Sequence, residues 1–213
     1  MDVPLEALVS GKRLEIARMQ DRLIDLIYNY IQPDAILYGG TAIWRCLGGS
    51  RFSEDIDIYV NPEFNRKIDN VLRRSNLKIE NRDRELPLHM SIGDGKTAIL
   101  LEASEGSYES TIAQYTRTDG TSMTISMLPP SELFIRKMEA YEGRRYIRDI
   151  YDLVHLTNFV DKSDSYIRSE FRLFIEGIKK PVDEHILRSL VYRGSSMPFD
   201  KMVAYLRTWS DEV

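Results

Sequence analysis

The stretch ILYGGTAIWRCLGGSRFSEDIDIYV, residues 36–60, decides the fold of this chain. The short apolar run at residues 35–38 is typical of a β-strand, and a Gly-Gly pair interrupts it. Thr41 can cap a short helix over residues 42–47, and a second Gly-Gly pair would end that helix. Residues 56–60 have the composition of another strand. The pattern therefore predicts strand, helix and strand in close succession.

Two aspartates at the second predicted strand indicate a cation site. Because side chains alternate along a strand, Asp55 and Asp57 point to one face and Ile56 to the other. Adjacent carboxylates repel each other unless a cation lies between them, and a hard divalent cation with oxygen ligands is suitable. Gly39 and Gly40 would present backbone N–H groups at a helix N-terminus, which suits phosphate oxygens. Metal and diphosphate can share such a pocket, which is a site for nucleotide transfer.

These residues carry a resemblance to a known family. Gly-Gly-Thr, a helix-length gap and Asp-Ile-Asp resemble the signature of the DNA polymerase β-like nucleotidyltransferase superfamily. The fuller wording, GGTAIWRCLGG-R-S-DIDIYV, resembles its AbiEii/AbiGii branch, the toxins of bacterial and archaeal toxin–antitoxin systems. The alternative is a tight strand–helix turn followed by a charged edge strand. Many members of the superfamily have Gly-Ser here, and Thr41 keeps the hydroxyl.

A second block, KMEAYEGRRYIRDIYDL at residues 137–153, resembles the lysine helix and the Arg-Asp-x-x-Asp-Leu helix of the same family. Lys137 lies on the apolar stripe of its predicted helix, where a cation must reach solvent or meet an anion. Asp149 and Asp152 are one turn apart and share a side of the next helix. In the family the lysine and one aspartate belong to the active site. The sequence does not decide which aspartate this is.

The resemblance implies transfer of an NMP from an NTP with Mg²⁺ or Mn²⁺ as cofactor. Asp55 and Asp57 would hold the metal, and Glu102 is the candidate third carboxylate, although a polar residue at a strand end is an equal alternative. Arg51 or Lys137 would neutralise the triphosphate as pyrophosphate leaves. The candidate catalytic residues are Asp55, Asp57, Lys137, Asp149 and Asp152. The candidate nucleotide-binding residues are Gly39, Gly40, Thr41, Arg51 and Ser53.

The predicted fold class is α/β, or α+β in stricter terms. A nucleotidyltransferase core with a small mixed sheet is expected over residues 1–127, and a helical part over residues 128–213 is expected to close the active site. Predicted strands cover residues 35–38, 56–60, 77–80, 88–92, 97–103, 111–116 and 122–127. Predicted helices cover residues 5–30, 42–47, 61–74, 128–142 and 146–160, and three more lie between 163 and 213.

The composition of the chain restricts the class of protein and the cellular compartment that we expect. The 213 residues include 29% charged and 43% hydrophobic residues, as in soluble globular proteins, and the net charge of −4 does not indicate nucleic-acid binding. Cys46 is the single cysteine, which excludes an intrachain disulfide and favours a reducing cytoplasm. The first ten residues lack the pattern of a signal peptide, and no apolar run has transmembrane length, so we expect no membrane partner.

The expected partners follow from the resemblance. NTP is the substrate, the end of a tRNA is a candidate acceptor, and a cognate antitoxin protein is a candidate binding partner. Two other functions remain open at this point. One is a housekeeping or resistance-type transferase that modifies a small molecule or a protein. The other is a catalytically idle nucleotide-binding module that acts through a partner, although the intact Asp-x-Asp pair argues against it.

Overall fold

The computed structural model describes residues 3–83 and 87–211, and the chain forms two compact units. The first unit comprises Met1–Gly48 and Phe52–Leu128, and the second comprises Gly49–Arg51 and Pro129–Val213. The ends of the predicted ranges 1–127 and 128–213, residues 1, 2, 212 and 213, lie outside the described residues. Residues 49–51 group with the second unit, although the sequence places them inside the first motif.

The first unit is built on a mixed sheet, and all seven predicted strands are present within the described residues. The strands are β1 Ile36–Tyr38, β2 Ile56–Val60, β3 Lys78–Arg82, β4 Leu88–Gly93, β5 Ala98–Glu105, β6 Thr111–Thr116 and β7 Ser122–Met127. Their order in the sheet is β3-β4-β5-β2-β1-β7-β6. The β1–β7 and β2–β5 pairs are parallel, whereas the other neighbouring pairs are antiparallel. The predicted fold class is therefore confirmed.

Turn chemistry explains the hairpin between β4 and β5. The Asp94 carboxylate accepts hydrogen bonds from the backbone N–H groups of Lys96 and Thr97, at 2.9 and 3.0 Å. Gly95 supplies a φ of +88°, which is costly for residues with a side chain. The two strands are thereby held in register.

Helices cover the apolar face of this sheet, on which Ile58 and Leu101 are fully buried. The first unit contains α1 Gly11–Leu26, α2 Gly39–Cys46 and α3 Phe64–Arg74. The prediction of one helix over residues 5–30 is wrong, because a 3₁₀ turn at Leu5–Ala7 precedes α1 and a π-helix at Ile27–Ile31 follows it. Gly11 has a φ of +57°, a conformation that an α-helix interior does not contain, and this separates the 3₁₀ turn from α1.

The second unit is helical, as predicted. Its α-helices are α4 Pro130–Arg144, α5 Ile147–Leu156, α6 Ser165–Gly177, α7 Leu187–Leu190 and α8 Phe199–Asp211. Phe134 and Phe171 pack together with ring centroids 5.4 Å apart, which joins α4 to α6 in an apolar core. Within residues 3–83 and 87–211, no helix combines the length and apolarity needed to cross a bilayer.

Candidate active site

The carboxylate of Asp57 lies against the first residue of α2. Tyr38, the last residue of β1, is paired with Asp57 in the neighbouring strand β2. Gly39 follows with a φ of +73°, a left-handed conformation that glycine adopts at little cost. A Cβ atom at Gly39 would overlap the Asp57 carboxylate, so the absence of a side chain makes room for it. The two halves of the motif, Gly-Gly-Thr and Asp-Ile-Asp, therefore meet in space.

This contact predicts a difference between two alanine substitutions with similar backbone strain. Gly39 and Gly48 have φ values of +73° and +72°, but a Cβ at Gly48 would meet nothing within 4 Å. Both substitutions should lower the free energy of unfolding by about 1–2 kcal/mol, the usual cost of a left-handed alanine. Gly39→Ala should also displace Asp57 and lower the rate of nucleotide transfer by about tenfold or more. Denaturant titration and rate measurements check both variants. Equal rate losses would contradict a role in transfer for the contact between Gly39 and Asp57.

Glu102 lies beside Asp57 in the adjacent parallel strand β5. The Tyr38 hydroxyl donates a hydrogen bond to Oε1 of Glu102 at 2.8 Å, and Nε2 of His89 lies 3.2 Å from Oε2. Burial raises the pKa of Tyr38, and the carboxylates of Glu102 and Asp57 add to this effect. The hydroxyl therefore keeps its proton and acts as the donor. Both oxygens of Glu102 consequently have a partner within the protein.

The backbone of Asp55 is held by two side-chain donors. The Thr41 hydroxyl donates to the Asp55 carbonyl at 2.5 Å, and Nε2 of Gln20 lies 3.5 Å from the same oxygen. Gln20 also donates to the carbonyl of Ser53 at 2.9 Å. The prediction that Thr41 caps the helix is wrong, because α2 begins at Gly39. The fully buried Thr41 hydroxyl has the Asp55 carbonyl as its hydrogen-bond partner.

The donor set suits a divalent cation that is bound together with a nucleotide. Mg²⁺ commonly takes one or two protein carboxylates and completes its shell with water and phosphate oxygens. Asp55 and Asp57 are half-buried and supply such a pair. Over residues 3–83 and 87–211, no group of three or more Asp, Glu, His or Cys side chains could hold a metal ion. Glu102, whose oxygens lie within hydrogen-bond distance of Tyr38 and His89, stays a proposed third carboxylate.

The second unit contains a cluster of five charged side chains, named here the charge cluster: Arg51, Lys137, Arg144, Asp149 and Asp152. Nζ of Lys137 lies 2.8 Å from Asp152 and 3.3 Å from Asp149. Arg51 donates through Nε and Nη2 to both oxygens of Asp152, at 2.6 and 2.5 Å. Arg144 contacts Asp149 in the same way, at 2.9 and 2.8 Å. Each aspartate therefore has its own arginine, and Lys137 contacts both.

Four side chains of the charge cluster are buried, and that of Arg144 is 39% exposed. The side chains of Asp149 and Asp152 are 0% and 2% exposed, and that of Lys137 is 8% exposed. Burial opposes ionisation of Asp152, but Arg51 and Lys137 outweigh it and lower the pKa of the carboxyl. Burial likewise disfavours the charged form of Arg51, but Asp152 outweighs it and raises the pKa of the guanidinium. Three cations thus face two carboxylates.

The lowered pKa of Asp152 predicts a pH-dependent stability. A carboxylate whose pKa is lower in the folded state stabilises the fold above its unfolded value, here 3.8, and this contribution disappears as the pH falls through the folded value. We expect Asp152→Asn to lower the melting temperature by a constant amount from about pH 7 to 5, and by less below about pH 4. Circular dichroism melts would measure this. A difference that does not change with pH would contradict it.

A surface aspartate serves as the control for this experiment. The pKa of Asp161 is also lowered, by hydrogen bonds from the Ser163 hydroxyl and backbone N–H, but its carboxylate lies at the surface. Solvent screens such a group, so Asp161→Asn should change the melting temperature little at any pH.

Sequence patterns do not single out three of the residues in these contacts, namely Gln20, Tyr38 and Arg144. One signal exists for Gln20, since a polar residue lies on the apolar stripe of α1, three and four residues before Leu23 and Ile24. Nothing in their local sequence distinguishes Tyr38 or Arg144 from their neighbours. The sequence leaves open which of Asp149 and Asp152 belongs to the active site, and the structure places both against Lys137.

The sequence of this chain matches one family model. Residues 29–194 match the family described as nucleotidyl transferase AbiEii toxin, type IV toxin–antitoxin system. No curated protein sequence matches the chain.

Several solved structures share the fold. MenT4, a nucleotidyltransferase toxin from Mycobacterium tuberculosis, is 16% identical with a TM-score of 0.63, and the match covers 94% of this chain and 83% of MenT4. JHP933 from Helicobacter pylori is 17% identical with a TM-score of 0.66, covering 95% of this chain and 91% of JHP933. ANT(2″)-Ia in complex with adenylyl-2″-tobramycin is 11% identical with a TM-score of 0.51, covering 75% and 97%. At these identities the likeness shows the fold alone.

Proposed function

The chain belongs to the AbiEii nucleotidyltransferase toxin family, and from this premise we propose that it transfers an NMP from an NTP to an acceptor hydroxyl with the help of Mg²⁺. The observation that supports this proposal best is the close approach of the Asp57 carboxylate to Gly39 at the start of α2. It brings an acidic pair and a helix N-terminus together within the first unit. Cation and phosphate sites are what nucleotide transfer requires.

Each group of the first unit has a defined task in this proposal. Asp55 and Asp57 hold the cation, which would polarise the phosphate oxygens and stabilise the charge that develops on them. The backbone N–H groups of Gly39, Gly40 and Thr41 bind phosphate oxygens, because the N-terminus of a helix carries a partial positive charge. Ser53 remains a proposed contact for the nucleotide.

The charge cluster would supply positive charge for the triphosphate. Asp149 and Asp152 are each neutralised by an arginine, so Lys137 is the cation that the cluster does not need for its own balance. A buried surplus charge is costly unless an anion neutralises it. We therefore propose that Lys137 stabilises the leaving pyrophosphate and that Asp149 and Asp152 orient its ammonium group. Arg51 is bonded to Asp152 through two nitrogens, so we propose that it acts mainly by fixing this aspartate.

The acceptor that we propose first is the end of a tRNA, because the resemblance to the AbiEii branch implies it. A cognate antitoxin is the proposed protein partner, in keeping with the type IV toxin–antitoxin system of the family description. The fold shared with ANT(2″)-Ia, whose structure contains adenylyl-2″-tobramycin, supports a second candidate, transfer to a small molecule. An idle module would bind nucleotide without transferring it.

One experiment separates these candidates. The purified chain is incubated with each of the four NTPs, labelled at the α-phosphate, and with Mg²⁺ or EDTA. Total tRNA, tobramycin or no acceptor is present in parallel reactions. We expect label on tRNA from one or two NTPs, with Mg²⁺ only. Label on tobramycin alone would favour the small-molecule candidate. If the chain binds NTP but no reaction puts label on an acceptor, the idle module is favoured and the proposal is overturned.

A further inference from the structure

Gln20 is a polar side chain in the interior of the first unit, far in sequence from both motifs. Its side chain is fully buried on α1. Nε2 donates to the Ser53 carbonyl at 2.9 Å and lies 3.5 Å from that of Asp55. It therefore holds the backbone that leads into β2, just where the acidic pair begins.

Keeping Gln20 has a cost that an apolar residue would avoid. Its second polar atom, Oε1, is buried and has no hydrogen-bond partner within residues 3–83 and 87–211. A buried polar atom without a partner usually lowers the free energy of unfolding by about 1–3 kcal/mol. Methionine has a similar length and would fill the same space without this penalty. The hydrogen bond from Nε2 to the Ser53 carbonyl offsets part of this cost and fixes the backbone at Ser53.

Thr41 reaches the same carbonyl from another helix. Its hydroxyl, on α2, donates to the Asp55 carbonyl at 2.5 Å. Asp55 precedes β2, so no pair of the β-ladder involving that strand includes it. The Thr41 hydroxyl thus holds this carbonyl and Gln20 lies near it. Restricting the carbonyl restricts ψ of Asp55, the rotation that relates the carbonyl to the side chain.

We propose that Gln20 and Thr41 are positioning residues, which hold the Asp55 carboxylate in the geometry needed to bind the divalent cation. This inference rests on the proposed function and assigns to the Thr41 hydroxyl a role separate from the phosphate binding proposed for its backbone N–H. Displacement of a catalytic group by about 1 Å can lower a rate by about a hundredfold. Hydrogen bonds that fix the backbone at Asp55 therefore have a large effect on the reaction.

The chain offers a matched control at the other end of the same strand. Gln32 is also buried, and its Oε1 accepts a hydrogen bond at 3.0 Å from the backbone N–H of Asn61, which follows β2. Gln20→Met and Gln32→Met therefore make the same chemical change at opposite ends of β2. Thr41→Val removes the hydroxyl with little change in shape, and Thr41→Ser keeps it.

The experiment measures kcat, KM for the NTP, melting temperature, and Mn²⁺ affinity without nucleotide by electron paramagnetic resonance. We expect Gln20→Met and Thr41→Val to lower kcat by about tenfold or more and to weaken Mn²⁺ binding severalfold. Gln32→Met should stay within about twofold of wild type in both quantities, and Thr41→Ser should bind Mn²⁺ more tightly than Thr41→Val because it keeps the hydroxyl. Gln20→Met should melt no lower than Gln32→Met, because it removes a polar atom that has no partner.

Two results would overturn the proposal. One is equal kcat and equal Mn²⁺ affinity in Gln20→Met and Gln32→Met. The other is a loss of kcat and of Mn²⁺ affinity in both variants that follows the fall in their melting temperatures. That result would give Gln20 a structural role only. The Mn²⁺ titration also separates this inference from the proposed function. If the wild-type chain transfers no nucleotide, weaker Mn²⁺ binding in Gln20→Met but not in Gln32→Met still supports positioning, and equal binding still rejects it.

Discussion

Replacing Asp57 by asparagine should reduce nucleotide transfer by on the order of a thousandfold or more while leaving the fold intact. The substitution removes the negative charge of a proposed ligand of the cation. Metal-assisted stabilisation of a transition state amounts to several kcal/mol, and each 1.36 kcal/mol changes the rate tenfold. Asparagine has nearly the same volume as aspartate, so it fits the space beside Gly39. A Cβ atom on residue 39 would fill that space. Relief of the repulsion between Asp55 and Asp57 should keep the metal-free protein at least as stable.

The control for this variant is the neighbouring carboxylate. Glu54 is exposed and lies one residue before Asp55. Glu54→Gln makes the same carboxylate-to-amide change and should keep the rate within about twofold, since an exposed charge is screened by solvent. Rates are measured with labelled NTP, and folding is checked by circular dichroism. Full activity of purified Asp57→Asn would remove the acidic pair from the site.

Replacing Lys137 by methionine should lower transfer by on the order of a hundredfold, the usual effect of losing one preorganised charge stabiliser. The melting temperature should change little, which is unusual for a buried ion. The reason lies in the charge cluster, where the substitution leaves two arginines facing two aspartates. Breaking a buried pair is strongly destabilising only when a charge is left uncompensated, and here none is.

Two further variants sharpen this result. Lys137→Arg should restore little activity, because a planar guanidinium does not replace a compact ammonium between two carboxylates. Lys201→Met, the same change at an exposed position of α8, should leave both rate and melting temperature near wild type. A Lys137→Met protein with the wild-type rate and a lower melting temperature would make the lysine a structural ion without a role in transfer.

The sequence by itself determined the elements and the family of this chain. The strands follow from short apolar runs bounded by Gly, Pro and Asp, and the Asp-x-Asp spacing is visible in the sequence, because both depend on residues only a few positions apart. The spacing of Gly-Gly-Thr and Asp-Ile-Asp is also local, and it was sufficient to predict a nucleotidyltransferase. The enzyme class that the sequence predicts agrees with the family match.

Only the tertiary structure decided which groups these residues contact. Arg51 and Asp152 are separated by 101 positions and Gln20 and Asp55 by 35, so no local pattern records either pair. The same holds for Glu102, whose carboxylate is bonded to Tyr38 from a strand 64 positions earlier. Hydrogen bonds and ion pairs act over about 3 Å in space, whereas periodicity reports only on neighbours along the chain. The partners of a buried charge are therefore known only once the strands and helices have packed.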